Sequence, residues 1–297
     1  MKIHKVNAFT SESFSGNPAG VVIDFLNQFD DLTKLGVASE INASETTFVS
    51  KSINCDFKFE FFTPRTKMPF CIHATIAAFH VLFEEGLLCL IEGTLKRKYC
   101  IETDAGVVDV EVRHDGERHH FSVQLLPVTF EMLDESRDDM AKLLGISESA
   151  LMQDPIMKVY SGLYWIVLGV KTLRDISSLA PRYDEIIKVS NYNRCTGICV
   201  FCLESFDQSD YHIRSIAPAV GVLEDPVCGT GNGCVSSYLI HNKIIRMSNN
   251  TISLCGEQGK FCNRWGKVIV SLTMENGSYD VMVGGTARTS MVGEIYL

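Results

Sequence analysis

Two stretches of the chain alternate hydrophobic and polar positions with a period of two, and both end at a proline. The first runs from Asp56 to Pro64 and the second from Asp210 to Pro218. Alternation of this kind is typical of a β-strand, and proline is tolerated where a strand leaves its sheet. Each stretch therefore predicts a strand that ends at its proline.

Each predicted strand is followed by a cysteine and then by a segment that is apolar on nearly every side. The first segment follows Cys71 and continues to Leu82, and the second follows Cys228 and continues to Ile240. A helix without a polar face must be enclosed by a sheet or by other helices. The pattern predicts two buried helices, each with a cysteine at its N-terminus.

The two blocks form an internal repeat whose offset is close to half of the chain. The aspartates are 154 positions apart and the cysteines 157, and a strand, a helix and a second strand are predicted before each block. Repetition of this kind indicates duplicated structural units. The expected fold class is α+β, with two pseudo-symmetric domains that each wrap a curved, mostly antiparallel sheet or barrel around one central helix.

The length of the chain agrees with two domains, because 297 residues is about twice the size of a common single domain. The boundary is predicted near Pro127, since a charged helical segment from Asp134 to Leu144 opens after it. We assign residues 1–128 to the N-terminal half and residues 129–283 to the C-terminal half. A strand predicted within residues 284–297 could join the first half.

Charge and composition argue against several classes of partner. Hydrophobic residues make up 46% of the chain, and 36 acidic residues outnumber 27 basic ones, which gives a formal net charge of -9. An acidic chain without a long basic run is a poor ligand for nucleic acid or for an anionic membrane. No apolar stretch approaches a membrane span, and the N-terminus lacks the pattern of a signal peptide. We expect a cytoplasmic protein that binds neither nucleic acid nor a membrane.

The eleven cysteines are scattered, odd in number and mostly set in apolar runs. This distribution is typical of buried reduced thiols. Cys199 and Cys202 have the spacing of a zinc or redox motif, but they lie in a predicted strand, where positions i and i+3 point to opposite faces. We therefore expect no metal site.

Three glycines alternate with other residues from Gly229 to Gly233, at the start of the second buried helix. Such a sequence exposes successive backbone N–H groups, and the helix dipole adds positive potential. The spacing matches neither a dinucleotide-binding motif nor a P-loop. The glycines could serve only a tight turn, but Asp225, Cys228 and Thr230 lie among them. The cluster therefore favours a binding site for a carboxylate or a phosphate.

Two candidate groups lie near the start of the first buried helix. His73 follows Cys71 by two positions, and Glu45 precedes a predicted strand. Each alone would be ordinary, His73 as a structural histidine and Glu45 as a surface carboxylate. The repeat places Cys71 and Cys228 at equivalent helix starts, so domains folded face to face would bring both into one cleft. A helix N-terminus is also expected to lower the pKa of a thiol.

Together with four further blocks, these segments resemble the phenazine biosynthesis-like (PhzF-like) family along essentially the whole chain. The further blocks are Phe14–Val22, Phe61–Pro64, Glu257–Gly259 and Gly284–Glu294. The resemblance implies the diaminopimelate-epimerase-like fold, with two pseudo-symmetric halves, an active site between them and no cofactor. Characterised members isomerise or epimerise small carboxylic acids, commonly as homodimers.

The resemblance also implies roles for single residues. The general acid/base of the family matches Glu45, the histidine after its Phe-Cys turn matches His73, and the aspartate of its Asp-Pro-Val block matches Asp225. Thr230 matches a hydroxyl residue that is usually serine. Asn17, in the Ser-Gly-Asn-Pro block, is expected to contact the substrate.

Two positions depart from the family pattern. Ile72 replaces the glycine of a Cys-Gly-His sequence, which is expected to narrow the site or to reorient His73. Cys228 stands where many members carry threonine, and in this respect the chain is similar to the racemases and epimerases of the same fold.

The first hypothesis is a cofactor-independent isomerase of a small carboxylic acid. Glu45 would remove a proton from an activated carbon and return it elsewhere on the same face of the substrate, which requires only one base. His73 and Asp225 would position the substrate and stabilise developing charge. The substrate carboxylate would be held by Gly229, Thr230 and Gly231.

Two alternatives stay open. Cys71 and Cys228 could form a thiolate/thiol pair on opposite faces of a stereocentre, as an amino-acid racemase or epimerase requires. The protein could also bind a small carboxylate without turning it over, because a fold can be retained when its activity is lost.

Overall fold

The computed structural model describes residues 1–88, 96–115, 118–275 and 277–297. The chain divides into two compact units, which contain residues 1–124 with 284–297 and residues 125–283. The division falls after residue 124 instead of after residue 128. Leu125 belongs to the second unit because its side chain is buried and its N–H donates to the Val281 carbonyl at 2.9 Å.

The elements follow one another along the chain in the following order. The first unit contains β1 (Lys2–Ala8), β2 (Asn17–Ile23), α1 (Asp31–Ile41), β3 (Glu45–Ser50), β4 (Phe57–Phe62), β5 (Lys67–Met68), α2 (Ile72–Glu84), β6 (Lys96–Thr103), β7 (Gly106–His114) and β8 (His119–Gln124). The second begins with β9 (Thr129–Met132), α3 (Arg137–Leu144), β10 (Met157–Tyr160), β11 (Tyr164–Gly169), α4 (Leu173–Ser177), α5 (Tyr183–Asn193) and β12 (Gly197–Cys202). It continues with β13 (Tyr211–Ala217), β14 (Val222–Asp225), α6 (Gly229–His241), β15 (Thr251–Gln258), β16 (Gly266–Glu275) and β17 (Ser278–Gly285), after which β18 (Ala287–Glu294) returns to the first unit.

The first unit wraps its strands around helix α2. Strand β1 pairs antiparallel with β2 and β18, β2 pairs parallel with β3, and β4 pairs antiparallel with β3 and parallel with β6. Strands β6, β7 and β8 continue as an antiparallel meander. Helix α2 contacts β1, β2, β3, β8 and β18, and its residues from Ile72 to Phe79 are all buried.

The second unit repeats this arrangement around helix α6. Strand β11 pairs parallel with β12, and β13 pairs antiparallel with β12 and parallel with β15. Helix α6 contacts β10, β11, β12, β15 and β16. The residues that directly precede β4 and β13 make matching contacts. The Asp56 carboxylate accepts the Cys100 N–H at 2.8 Å, and the Asp210 carboxylate accepts the Cys255 N–H at 2.7 Å.

A second set of helices covers the opposite face of each sheet. In the first unit, Val37, Ala38 and Ile41 of α1 pack with Phe48 and Phe62 of the sheet. In the second unit, α3, α4 and α5 contribute to a larger apolar cluster with β11 and β12. Helix α3 begins at Arg137, later than the predicted charged segment, because the Ser136 side chain caps it by accepting the Asp139 N–H.

Among the described residues, no helix combines the length and the hydrophobicity that crossing a bilayer would require.

Candidate active site

Three element starts place Asn17, Glu45 and His73 together in the first unit. Asn17 and Glu45 are the first residues of the parallel strands β2 and β3, and His73 lies in the first turn of α2. The His73 Nε2 atom lies 3.0 Å from Glu45 Oε2 and 3.1 Å from Ser44 Oγ. The Asn17 amide nitrogen lies 3.5 Å from the other ring nitrogen, Nδ1. The imidazole therefore stands between a carboxylate and a buried amide.

Glu45 and His73 form an ion pair in the free protein. Burial opposes ionisation of Glu45, but the charge of His73 and polar contacts with His73 and Ser44 outweigh it and lower the pKa of Glu45. Burial also disfavours the charged imidazole, yet Cys71 and Glu45 raise the pKa of His73 well above its usual value. Each of the two groups therefore favours the charged form of the other.

The Cys71 thiol occupies the other side of the imidazole, with Sγ 3.3 Å from His73 Nδ1. Burial and the nearby Glu45 carboxylate raise the pKa of Cys71. Burial likewise raises the pKa of Cys228 well above its usual value, with Asp225 adding to the effect. The expectation that the helix N-termini would lower the pKa of these thiols is wrong, because desolvation of a buried thiolate outweighs the helix dipole.

In the second unit, Cys228 caps helix α6 with its own side chain. Sγ accepts the Gly231 N–H at 3.3 Å and lies 3.5 Å from Thr230 Oγ1. Thr230 Oγ1 also accepts a hydrogen bond from Trp165 Nε1 at 3.2 Å. The Gly231 N–H is therefore already occupied, and Gly229 and Thr230 provide the earlier N–H groups of the helix start.

A single buried amide, that of Gln258, holds this helix start in place. Its Oε1 accepts hydrogen bonds from the Cys228 N–H and from Asn232 Nδ2, both at 3.0 Å. Its Nε2 donates to the Asp225 carbonyl at 2.7 Å. Gln258 therefore joins the end of β14, the cap of α6 and the first turn of α6.

Two glycines allow the close packing around this network. A Cβ at Gly231 would lie 2.9 Å from both Cys199 Sγ and Ser215 Oγ. Gly259 has a φ of +93° and passes so close to its neighbours that a Cβ would lie 2.0 Å from the Arg264 carbonyl oxygen. The position after Gln258 thus requires glycine both for its backbone conformation and for space.

The pseudo-symmetry of the two units is broken at Glu45. The first residue pair of the parallel β2–β3 ladder is Ala19 with Glu45, and that of the β11–β12 ladder is Trp165 with Gly197. A Cβ at Gly197 would lie 2.1 Å from the Ile216 carbonyl oxygen. The second unit therefore has no room for a side chain where the first carries its carboxylate.

One group of side chains in the described part of the chain has the composition of a metal site. Donor atoms of Glu45, Cys71 and His73 all lie within 4.8 Å of one another. Cys199 and Cys202 are engaged elsewhere: Cys199 Sγ lies 3.5 Å from Ser215 Oγ, and the Cys202 thiol contacts the Glu204 carbonyl at 3.2 Å.

The sequence-predicted residues thus form one cluster in each unit. Asn17, Glu45, Cys71 and His73 lie together in the first, and Asp225, Cys228, Gly229, Thr230 and Gly231 lie together in the second. Sequence reasoning missed Ser44, Trp165 and Gln258. Of these three, only Gln258 could have been singled out from the sequence, because it lies in Glu257–Gly259, one of the blocks that resemble the family. The predicted effect of Ile72 on the site stays a prediction.

Comparisons with known proteins confirm the family and the fold. Residues 6–293 match the family model described as phenazine biosynthesis-like protein, PhzC-PhzF. The chain is 32% identical to an uncharacterised isomerase of Clostridium acetobutylicum, over 99% of this chain and 98% of that relative. It is also similar to the crystal structure of a PhzF-family phenazine biosynthesis protein of Bacillus anthracis, with a TM-score of 0.91 and 25% identity over 100% of this chain and 99% of that one.

The fold extends beyond the family. A hydroxyproline epimerase of Agrobacterium vitis has a TM-score of 0.63 to this chain at 14% identity, covering 99% of this chain and 90% of that one. This similarity confirms the predicted α+β fold of the diaminopimelate-epimerase type. The chain belongs to the phenazine biosynthesis-like (PhzC-PhzF) family of isomerases.

Proposed function

We propose that the protein is a cofactor-independent isomerase of a small carboxylic acid, in which Glu45 removes and returns the proton. The observation that carries the proposal is the state of the Glu45 carboxylate. Its side chain is only 18% exposed, and its Oε2 is buried 3.0 Å from His73 Nε2. Oε2 accepts no well-aligned hydrogen bond from any described residue. An ionised oxygen with a free electron pair is what a general base requires.

Substrate binding would make Glu45 a stronger base than it is in the free protein. An anionic group that pairs with His73 weakens the attraction between His73 and Glu45. Burial then becomes the dominant influence, and burial raises the pKa of a carboxyl group. Glu45 thereby moves toward the neutral range in which an acid/base group transfers protons best in both directions.

A single carboxylate is enough for this chemistry. Moving a proton between two carbons on one face of a substrate needs one base, whereas inverting a stereocentre needs a second base on the opposite face. The strand start equivalent to Glu45 in the second unit is Gly197, which cannot carry a side chain without a clash. This asymmetry supports isomerisation by one base.

The proposal gives the second helix start the task of holding the substrate carboxylate. Gly229 and Thr230 lie in the first turn of α6, where backbone N–H groups and the helix dipole favour an anion. Gly231 contributes by leaving space, because its N–H is occupied by Cys228 Sγ. Asp225, held through its carbonyl by Gln258, would orient a polar group of the substrate.

The thiol environments do not support the two-cysteine alternative. That mechanism needs one of Cys71 and Cys228 as a thiolate and the other as a thiol. Burial raises the pKa of both groups, which disfavours the thiolate that the mechanism needs. The pKa of Glu45, by contrast, is lowered, which favours its ionised form, and its Oε2 lacks an aligned donor among the described residues.

The proposal is tested by incubating the protein with a metabolite extract in deuterated water and following carboxylic acids by mass spectrometry and NMR. We expect the wild type to convert one acid into an isomer that gains at most one deuterium in each turnover. Glu45→Gln should slow this conversion by about 10²–10⁴-fold, the usual contribution of a general base. The matched control is Glu40→Gln, since Glu40 is exposed on α1.

Activity of Glu45→Gln within tenfold of the wild type would refute the proposal. A thermal shift with small carboxylates, without any turnover in the extract, would favour the alternative that the protein binds a small carboxylate without converting it.

A further inference from the structure

We propose that Glu45, Cys71 and His73 bind Zn²⁺, and that the ion inhibits the isomerase by taking the electron pair with which Glu45 accepts the proton. The inhibition rests on the proposed function. The binding itself rests only on the three side chains and their geometry.

The donor atoms of the three side chains lie close together, but Cys71 Sγ is nearer to His73 Nδ1, at 3.3 Å, than to Nε2, so zinc binding would turn the thiol toward Nε2. His73 Nε2 lies 3.0 Å from Glu45 Oε2 and 4.0 Å from Cys71 Sγ, and all the donor atoms lie within 4.8 Å of one another. Zinc bonds of about 2.0–2.3 Å at tetrahedral angles separate neighbouring donors by about 3.3–3.6 Å. Side-chain shifts on the order of 1 Å would bring the three donors to that spacing.

The chemistry of the donors selects the metal. Thiolate, imidazole and carboxylate are the ligands that zinc takes in proteins, whereas Mg²⁺ prefers oxygen ligands alone. The buried Oε2 of Glu45 has no aligned hydrogen-bond donor among the described residues, so a cation would satisfy it. Three protein ligands leave a fourth position open for water.

The surroundings support a bound imidazole and also define what the ion must displace. The Asn17 amide lies 3.5 Å from His73 Nδ1, the nitrogen that faces away from the metal when Nε2 is the ligand. A metal-bound histidine donates its other ring N–H to an acceptor, so the Asn17 amide would have to turn and present its oxygen, Oδ1, to Nδ1. Zinc would release one proton from the Cys71 thiol and one from the His73 imidazolium, and it would replace the contact between Nε2 and Ser44 Oγ.

The cluster of Glu45, Cys71 and His73 differs from the surroundings of the other described cysteines. Within residues 1–88, 96–115, 118–275 and 277–297, no other three His, Cys, Asp or Glu side chains bring their donor atoms this close together. A thiol of the second unit, Cys262, is partly buried and serves as a matched control.

The binding is tested by titrating the reduced protein with Zn²⁺ at constant pH, in competition with a chromophoric chelator. We expect one equivalent to bind tightly, and we expect the Kd to rise at least tenfold in Cys71→Ser and in His73→Ala. Cys262→Ser should retain the Kd of the wild type, and Mg²⁺ should not compete. An unchanged Kd in both Cys71→Ser and His73→Ala would overturn the site, and circular dichroism of each variant checks that it is folded.

The inhibition is tested on the isomerisation assay with and without Zn²⁺. We expect loss of activity as the site fills, protection by substrate, and recovery when the chelator removes the ion. Full activity with the site occupied would overturn the inhibition. The two proposals can fail separately. Full activity of metal-free Glu45→Gln would contradict the role of Glu45 in catalysis. The zinc Kd values test only the binding site, because they are measured without any substrate.

Discussion

Replacing Gln258 by leucine tests whether one buried amide fixes the helix start that carries Cys228. The Gln258 side chain is almost fully buried, and it binds the Cys228 N–H, Asn232 Nδ2 and the Asp225 carbonyl. Leucine has a similar volume but leaves the Cys228 N–H and the Asp225 carbonyl without these partners. The Cys228 N–H is buried and becomes orphaned, and an orphaned buried polar group costs about 1–3 kcal/mol, so the free energy of unfolding should fall by about 1–3 kcal/mol.

The assay is urea unfolding followed by tryptophan fluorescence. Both tryptophans, Trp165 and Trp265, lie in the second unit, so the signal reports on the unit that contains Gln258. The control is Gln153→Leu, at an exposed position of the same unit, which should change the free energy by less than about 0.5 kcal/mol. A loss below about 1 kcal/mol for Gln258→Leu would refute the reasoning.

Three further predictions concern both units. Gly231→Ala should destabilise the second unit by about 1–3 kcal/mol in the same fluorescence assay, because the added Cβ meets a sulfur and a hydroxyl oxygen at 2.9 Å; an unchanged midpoint would contradict this. Lys34→Met should cost about 3 kcal/mol by circular dichroism in urea, since it removes the Nζ that lies 2.6 Å from the buried Glu60 carboxylate. His73→Gln should move the acidic limb of the kcat/KM profile to higher pH, because the pKa of Glu45 rises when the positive charge is lost and burial remains. A limb that stays in place or moves to lower pH would show that His73 does not set this pKa.

The parts of the fold that the sequence predicted are those that depend on local patterns. The apolar segments after Cys71 and Cys228 are helices α2 and α6, and both cysteines are the caps of these helices. The alternating block that begins at Asp56 is strand β4. Period and composition were enough to locate these elements, although β4 is buried at five of its six positions instead of on one face only.

The parts that the sequence did not predict depend on contacts between distant segments. The hydrogen bond between Trp165 and Thr230 joins residues 65 positions apart, and the one between Gln258 and Asp225 joins residues 33 positions apart. Contacts between such distant positions produce no periodic pattern in the sequence. The thiol pKa values were predicted in the wrong direction because the helix start is visible in the sequence, whereas the degree of burial at Cys71 is not.

The homodimer and the shared cleft of the two helix starts stay predictions. Sedimentation of the 33.1 kDa chain would show the dimer as a species of twice this mass. A single sedimenting species at the mass of one chain would contradict it.

The central claim, that Glu45 and not a cysteine pair transfers the proton, is tested most directly by solvent deuterium exchange. The substrate acid found in the extract is incubated in deuterated water with wild type, with Glu45→Gln, and with a double variant that has alanine at Cys71 and Cys228. The account predicts that Glu45→Gln loses both isomerisation and exchange, while the double variant retains turnover within about tenfold. Exchange that persists in Glu45→Gln and disappears in the double variant would contradict it.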